Sequence, residues 1–142
     1  MNASISTLLA YKGAKVYSVP STTTVLDAVR EMNLHKISSI LVMDGGRLMG
    51  LLTARDVLTR VIEPEFDVHV TRVHQVMVTN HPTLTPDMMA MEAMGIFERL
   101  HCSHLVVLDG SRVAGVISIS DIASWSATAQ RAETESMRAF LT

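Results

Sequence analysis

Aromatic residues, cysteine and excess charge are all scarce in this 142-residue chain. Phe, Trp and Tyr make up 4% of the sequence, which leaves little material for stacking on single-stranded nucleic acid. The formal net charge of −2 gives no general attraction to phosphate backbones or anionic lipid, so we expect neither nucleic acid nor a membrane as a partner. Cys102 is the single cysteine, which excludes an intrachain disulfide and a cysteine-based zinc cluster.

Long hydrophobic runs are also missing. No apolar stretch approaches the roughly 20 residues of a membrane-spanning helix, and residues 1–6 lack the basic and apolar regions of a signal peptide. The hydrophobic fraction of 48% is nevertheless ordinary for a globular chain. Together these features predict a small cytoplasmic protein with a folded core.

The sequence contains an internal repeat. Residues 16–57 align without gaps on residues 81–122, at an offset of 65. The identical pairs fall on turns and apolar positions, where a shared fold would place them. They are Ala28/Ala93, Ser38/Ser103, Val42/Val107, Asp44/Asp109, Gly45/Gly110, Arg47/Arg112, Gly50/Gly115 and Asp56/Asp121.

Each copy has the pattern of a strand, a helix, a hairpin of two strands and a second helix. Apolar residues recur at i, i+3, i+4 and i+7 in both predicted first helices, as Val25, Ala28, Val29 and Met32 and as Ala90, Ala93, Met94 and Phe97. Thr22 and Asp87 are of the N-cap type and are predicted to begin these helices. Hairpin strands are predicted at 40–43, 48–52, 105–108 and 113–117.

A single copy is too small to cover both faces of its own sheet. The sequence therefore predicts an α+β fold in which two β-α-β-β-α repeats pack sheet to sheet with pseudo-two-fold symmetry. The expected boundaries are repeat 1 at 11–61, a linker at 62–72, repeat 2 at 73–125 and a C-terminal helix at 126–142.

An ordered set of short motifs occurs in both copies. In copy one it is Val19-Pro20, Thr24-Val25-x-Asp27-Ala28 and Gly50-Leu51-Leu52-Thr53-x2-Asp56-Val57. In copy two it is Val76-Met77, His104-Leu105-Val106-Val107 and Gly115-Val116-Ile117-Ser118-x2-Asp121-Ile122. Over about residues 11–125 the chain thus resembles a tandem cystathionine-β-synthase (CBS) domain pair, also called a Bateman module.

The sharpest chemical signal is a hydroxyl residue followed three positions later by aspartate, as Thr53…Asp56 and Ser118…Asp121. A helix N-terminus with free N–H groups suits a phosphate, and a carboxylate one turn deeper can accept from both ribose hydroxyls. The same spacing is also that of an ordinary capping box. Recurrence of the motif and the family resemblance favour a nucleotide site over a plain cap.

The resemblance implies two ligand clefts, each combining the acidic motif of one repeat with early strands of the other. Site A would use Thr53, Arg55 and Asp56 with Pro82, Thr83, Ser103 and His104. Site B would use Ser118, Ser120 and Asp121 with Val16, Tyr17, Ser38 and Ser39. Arg55 in the first motif corresponds to Ser120 in the second. Site A therefore has more positive charge and is expected to tolerate more phosphate than site B.

Other residues carry weaker signals. His101 and His104 could be read as metal ligands, but no carboxylate or second thiol lies close by in the sequence, so no metal is expected. Cys102 aligns with Ile37, which indicates apolar packing rather than a nucleophile. We find no Ser-His-Asp, paired-carboxylate or metal constellation, so no catalytic residues are assigned and the chain is not expected to be an enzyme.

These observations predict a stand-alone regulatory module that binds an adenosine-containing ligand and signals energy or cofactor status to an effector protein of unknown identity. AMP, ADP, ATP, S-adenosylmethionine and NAD all present an adenosine and remain open, and no tightly bound cofactor is expected. A homodimer is implied by the resemblance. The alternative is a structural dimerisation module with empty clefts.

Overall fold

The computed structural model describes residues 2–13 and 15–141, and the chain divides into two compact units. One, here called the first-repeat unit, is Val16–His81. The other, the second-repeat unit, joins Met1–Lys15 to Pro82–Thr142. The last residue of the predicted C-terminal helix, Thr142, lies outside the described residues.

The elements of the first-repeat unit are β1 Ser18–Val19, α2 Val25–His35, β2 Ser39–Asp44, β3 Arg47–Thr53 and α3 Ala54–Val57, and α1 (Ile5–Lys12) belongs to the other unit. The three strands form one sheet in the order β1-β2-β3. Strand β1 is parallel to β2, and β2 and β3 form an antiparallel hairpin. Helix α3 continues directly into a π-helical turn at Leu58–Ile62.

The second-repeat unit contains the hairpin of β4 and β5 and three helices. Helix α5 runs through the predicted boundary at 125/126 without a break, because no proline or glycine interrupts it. The elements are α1 Ile5–Lys12, α4 Ala90–Leu100, β4 His104–Asp109, β5 Arg112–Ser118 and α5 Ile119–Leu141.

The prediction of a first strand in copy two is wrong. In the described chain it is reduced to an isolated parallel bridge between Leu84 and Val107. Pro82 and Pro86 flank Leu84, and neither can donate a backbone hydrogen bond to extend the ladder. The four predicted hairpin strands are confirmed, and each is one residue longer at both ends than predicted.

The two hairpins share their register down to an irregularity. Val42 pairs with Gly50, and the register shifts between Val42 and Met43. Val107 pairs with Gly115, and the register shifts at the corresponding place between Val107 and Leu108. The helices that precede the hairpins also end alike, with left-handed residues at Lys36 (φ 54°) and His101 (φ 52°). This agreement confirms the repeat at the level of backbone conformation.

The N-caps predicted for the first helices of the repeats are wrong. Helix α2 is capped by Thr24, whose extended backbone directly precedes the helix and whose hydroxyl accepts from the N–H of Asp27 at 3.2 Å. Thr22 lies two residues too early for this bond. Helix α4 begins after Met89, not Asp87, and Asn2 from the N-terminus supplies a side-chain acceptor for the Met91 N–H at 3.0 Å.

Each unit is completed by a segment from outside its repeat. In the first-repeat unit the N–H of Val25 donates to Thr71 O at 2.9 Å, and Val73 is fully buried in the core. In the second-repeat unit the N–H of Ala90 donates to Ala3 O at 2.7 Å, and Ile5 is fully buried. Residues 71–78 and 3–12 therefore play the same part in the two units.

These completing segments approach a glycine in each hairpin. A Cβ placed on Gly50 would lie 2.7 Å from Met77 Sδ and 2.8 Å from Val78 O. A Cβ placed on Gly115 would lie 2.6 Å from Leu9 Cδ2. The backbone oxygen of Val78 cannot turn away, whereas the end of the Leu9 side chain can.

We therefore expect Gly50→Ala to lower the free energy of unfolding by about 1–3 kcal/mol, the usual range for overpacking, and Gly115→Ala to lower it less. Urea denaturation of the two variants measures the difference. An equal or larger loss for Gly115→Ala would contradict the expectation that the fixed Val78 oxygen makes the clash at Gly50 the more costly one.

Candidate functional site

The two acidic motifs form reciprocal capping boxes where the hairpin enters the following helix. Asp56 Oδ2 accepts from the Thr53 N–H at 2.9 Å, and the Asp56 N–H donates to Thr53 Oγ1 at 3.1 Å. Asp121 Oδ2 accepts from the Ser118 N–H at 2.8 Å, and the Asp121 N–H donates to Ser118 Oγ at 3.1 Å. Each pair satisfies backbone donors that a helix start leaves open.

The charges around the two carboxylates differ. Arg60 Nε lies 3.8 Å from Asp56 Oδ1, outside hydrogen-bond distance, and 14% of the Asp56 side chain is exposed. Lys12 Nζ lies 2.7 Å from Asp121 Oδ2 and 2.5 Å from Val116 O. The two motifs thus share backbone geometry but not electrostatic environment.

Other predicted site residues lie beside these motifs within each unit. In the first-repeat unit Ser39 pairs with Thr53, and the Ala54 N–H donates to Ser38 O at 2.9 Å. These contacts bring together residues assigned above to site B with a residue assigned to site A.

The second-repeat unit repeats the arrangement. His104 pairs with Ser118, and the Ile119 N–H donates to Ser103 O at 3.1 Å. The Ser103 hydroxyl lies 2.8 Å from His104 Nδ1, and the hydroxyls of Ser118 and Ser120 lie 2.9 Å apart. Polar side chains therefore cluster where this hairpin meets α5.

The remaining predicted residues lie at or near the surface. The Tyr17 ring stacks on His35, with ring centroids 3.8 Å apart and an interplanar angle of 19°. The Leu41 N–H donates to Tyr17 O at 3.1 Å, which fixes this residue beside β2. The exposed members of the whole predicted set are Val16, Ser38, Arg55, Pro82, Thr83 and Ser120.

The weaker candidates show no additional chemistry in the described part of the chain. Among residues 2–13 and 15–141, no three His, Cys, Asp or Glu side chains are placed to hold a metal ion. Cys102 packs against the core of the second-repeat unit, and burial raises the pKa of its thiol. A raised pKa keeps the thiol protonated and weakens it as a nucleophile.

No described helix has the length and apolar character needed to span a bilayer.

Helix α1 and the contact of Lys12 were not predicted. Ser4 caps α1 through a 3.1 Å bond from the Thr7 N–H, and the helix buries Ile5 and Leu8. The sequence does carry a signal for this helix, because a serine precedes apolar residues at i, i+3 and i+4 and Gly13 follows the last turn. Its docking on the second-repeat unit could not be deduced from that pattern.

A comparison with protein-family models matches the CBS domain twice, at residues 13–63 and 73–128. The chain belongs to the CBS domain family. Its two hairpins with their capping boxes are therefore the corresponding parts of two CBS repeats, and the fold is the tandem CBS fold.

Among curated proteins, the chain is similar to the CBS domain-containing protein CBSCBSPB5 of Arabidopsis thaliana. The two are 34% identical over 119 residues, which is 84% of this chain and 21% of the relative. The chain thus spans about a fifth of the length of this relative and of a second Arabidopsis thaliana protein, CBSCBSPB1.

Solved structures show the same fold. A protein from Burkholderia ambifaria, named for signal transduction and for its CBS domains, is 29% identical with a TM-score of 0.82, over 87% of this chain and 93% of that one. A hexameric CBS-CP12 protein from bloom-forming cyanobacteria is 22% identical with a TM-score of 0.77, over 87% and 67% of the two chains. The second likeness concerns the fold alone.

Proposed function

We propose that this chain is a regulatory CBS module that binds adenosine-containing nucleotides through its two acidic motifs and signals their level to an effector protein. The observation that carries the proposal is the same Thr/Ser-x-x-Asp geometry at both hairpin-to-helix junctions. Membership of the CBS family, with a protein named for signal transduction among its solved structures, supports the regulatory part.

The chemistry of each motif suits a ribose with phosphates. A carboxylate can accept from the 2′ and 3′ hydroxyls of one ribose, and a neighbouring hydroxyl can donate to a phosphate oxygen. Asp56 and Asp121 are each partly exposed, with 14% and 22% of their side chains accessible. Arg55, on the first turn of α3, adds a fixed positive charge for phosphate beside the first motif, where the second has Ser120.

A specific observation favours a second candidate function. Both capping boxes are complete within the protein, so the aspartates have a structural role that needs no ligand. The alternative is therefore a dimerisation module with no nucleotide. Binding measurements separate the two candidates.

The proposal includes a homodimer as the working form. Leu34 on α2 is 70% exposed and Met91 on α4 is 63% exposed, and in our proposal both side chains become covered in the dimer. The hexamer of the CBS-CP12 protein shows that a chain with this fold can assemble. A cytoplasmic location stays a prediction from the sequence.

We expect the double variant Asp56→Ala, Asp121→Ala to bind AMP about tenfold to a hundredfold more weakly than the parent. Each change removes a charge-assisted hydrogen bond to the ribose, worth roughly 1.5–3 kcal/mol. Titration calorimetry measures the change. The control is Asp56→Asn, Asp121→Asn, which keeps a capping acceptor and loses the charge, and should also bind more weakly. Unchanged affinity in both variants contradicts the ribose role.

A second expectation concerns phosphate. Arg55→Ser should lower the ATP-to-AMP affinity ratio, because a fixed positive charge for the outer phosphates is lost. The reciprocal change Ser120→Arg should raise that ratio, and both effects should shrink at high salt because exposed charges are screened within about 8–10 Å. Titrations with ATP and AMP at two salt concentrations measure the ratio. A ratio that Arg55→Ser leaves unchanged would show that Arg55 does not contact the ligand.

A third expectation concerns the oligomeric state. Static light scattering at micromolar concentration should give about twice the 15.5 kDa mass of the chain. Replacing the exposed Leu34 and Met91 by Lys should lower the measured mass, because charge disfavours an apolar interface core. A parent mass of 15.5 kDa at all concentrations tested would contradict the homodimer.

A further inference from the structure

Lys12 places an ammonium group on one of the two acidic motifs. Its Nζ donates to Asp121 Oδ2 at 2.7 Å and to Val116 O at 2.5 Å, all within the second-repeat unit. Both side chains are substantially covered, with 33% of Lys12 and 22% of Asp121 exposed. A partly covered ion pair of this kind is screened less by solvent than one whose side chains are fully exposed.

The helical form of α1 explains why an ammonium is there. In the first-repeat unit the carbonyl of Leu51, which corresponds to Val116, accepts a backbone N–H from Val78 at 2.8 Å. Lys12 lies on an α-helix, whose backbone N–H groups are used internally. Its side chain therefore satisfies the Val116 carbonyl in place of a backbone donor, and brings a positive charge to Asp121 as a result.

Contacts between the neighbouring Tyr11 and α5 hold Lys12 in this position. The Tyr11 hydroxyl lies 2.9 Å from Thr128 Oγ1, and the Tyr11 and Trp125 rings meet edge to face with centroids 5.4 Å apart. The last turn of α1 is thereby fixed on α5 by residues other than Lys12. Loss of the ammonium alone should leave α1 in place.

The two aspartates consequently differ in the acceptor positions they can offer. In the described part of the chain, Oδ2 of Asp121 accepts from the Ser118 N–H and from Lys12 Nζ. In the same described part, Oδ2 of Asp56 accepts from the Thr53 N–H, and Arg60 Nε lies 3.8 Å from its Oδ1. A carboxylate oxygen has about two lone-pair positions, so a ribose can use both oxygens of Asp56 but only one of Asp121 while Lys12 is bound.

We infer that Lys12 is a built-in competitor for the ligand's ribose at Asp121, so that an adenosine ligand occupies the Asp56 motif first. This inference rests on the proposed function. Full engagement of Asp121 requires Lys12 to leave its carboxylate, and the free energy of that ion pair is subtracted from the affinity of the second motif.

The test is calorimetric titration with adenosine, which carries both ribose hydroxyls and no phosphate to attract Lys12. In an Asp56→Ala background, which leaves only the Asp121 motif, adding Lys12→Met should tighten binding by about three- to tenfold, as expected for loss of a competing charged hydrogen bond. Lys12→Gln provides a second neutral variant. Lys12→Arg, which keeps the charge, should not tighten binding.

A second background, without Asp121, tests whether the tighter binding of adenosine depends on that carboxylate. In an Asp121→Ala background, Lys12→Met should leave adenosine affinity unchanged, because this background removes the carboxylate to which Lys12 donates. Thermal melting of every variant checks that it is folded before titration.

The possible outcomes distinguish the competitor role of Lys12 from the proposed nucleotide function. If the parent binds adenosine and neither neutral variant tightens binding in the Asp56→Ala background, the competitor role of Lys12 is overturned and the nucleotide function stands. Equal tightening in both backgrounds also overturns it, since the effect would not pass through Asp121. If the parent binds no adenosine or adenine nucleotide, the proposed function fails and the inference fails with it.

Discussion

The structure depends on the close approach of a completing segment to a glycine in each hairpin. The Cβ position of Gly50 is filled by Met77 and Val78, and that of Gly115 by Leu9. Because the hairpins alone cannot bury their apolar faces, these segments supply core residues such as Val73 and Ile5. The segment at 71–78 bonds to its hairpin strand through the backbone of Val78, whereas the segment at 3–12 forms a helix. This difference puts the Lys12 ammonium beside Asp121.

The junction between hairpin and helix serves stability and, in our proposal, recognition with the same atoms. A reciprocal capping box holds the carboxylate in a fixed position by backbone hydrogen bonds, which preorganises it for a ligand at little further loss of entropy. The same bonds would exist in a module that binds nothing. The backbone geometry is therefore common to both candidate functions. In our proposal the side chains around it, Arg55 in one motif and Lys12 in the other, make the two motifs differ in ligand binding.

Much of the fold followed from sequence pattern, and the errors have physical causes. The offset of 65 predicted two equivalent hairpins, because turn glycines and alternating burial specify strand pairing locally. The structure adds that their register agrees, including the shift that both share. Thr22 and Asp87 were wrong as caps because several hydroxyl and acidic residues precede each helix, and backbone conformation selected Thr24 and Met89. Which unit α1 would join depended on long-range packing, so the Lys12 contact was beyond sequence reasoning. The assignment of Ser39 to site B and of His104 to site A stays a prediction.

The central claim is that the folded chain binds adenosine-containing nucleotides. The most direct measurement is a thermal-shift titration with AMP, ADP, ATP, S-adenosylmethionine and NAD, with GMP as the matched control for ribose and phosphate without adenine. A ligand that binds only the folded state raises the melting temperature with increasing concentration by mass action. Our account predicts such a rise for at least one adenosine-containing compound, and a smaller one for GMP. No rise with any of the five compounds at millimolar concentration would contradict it.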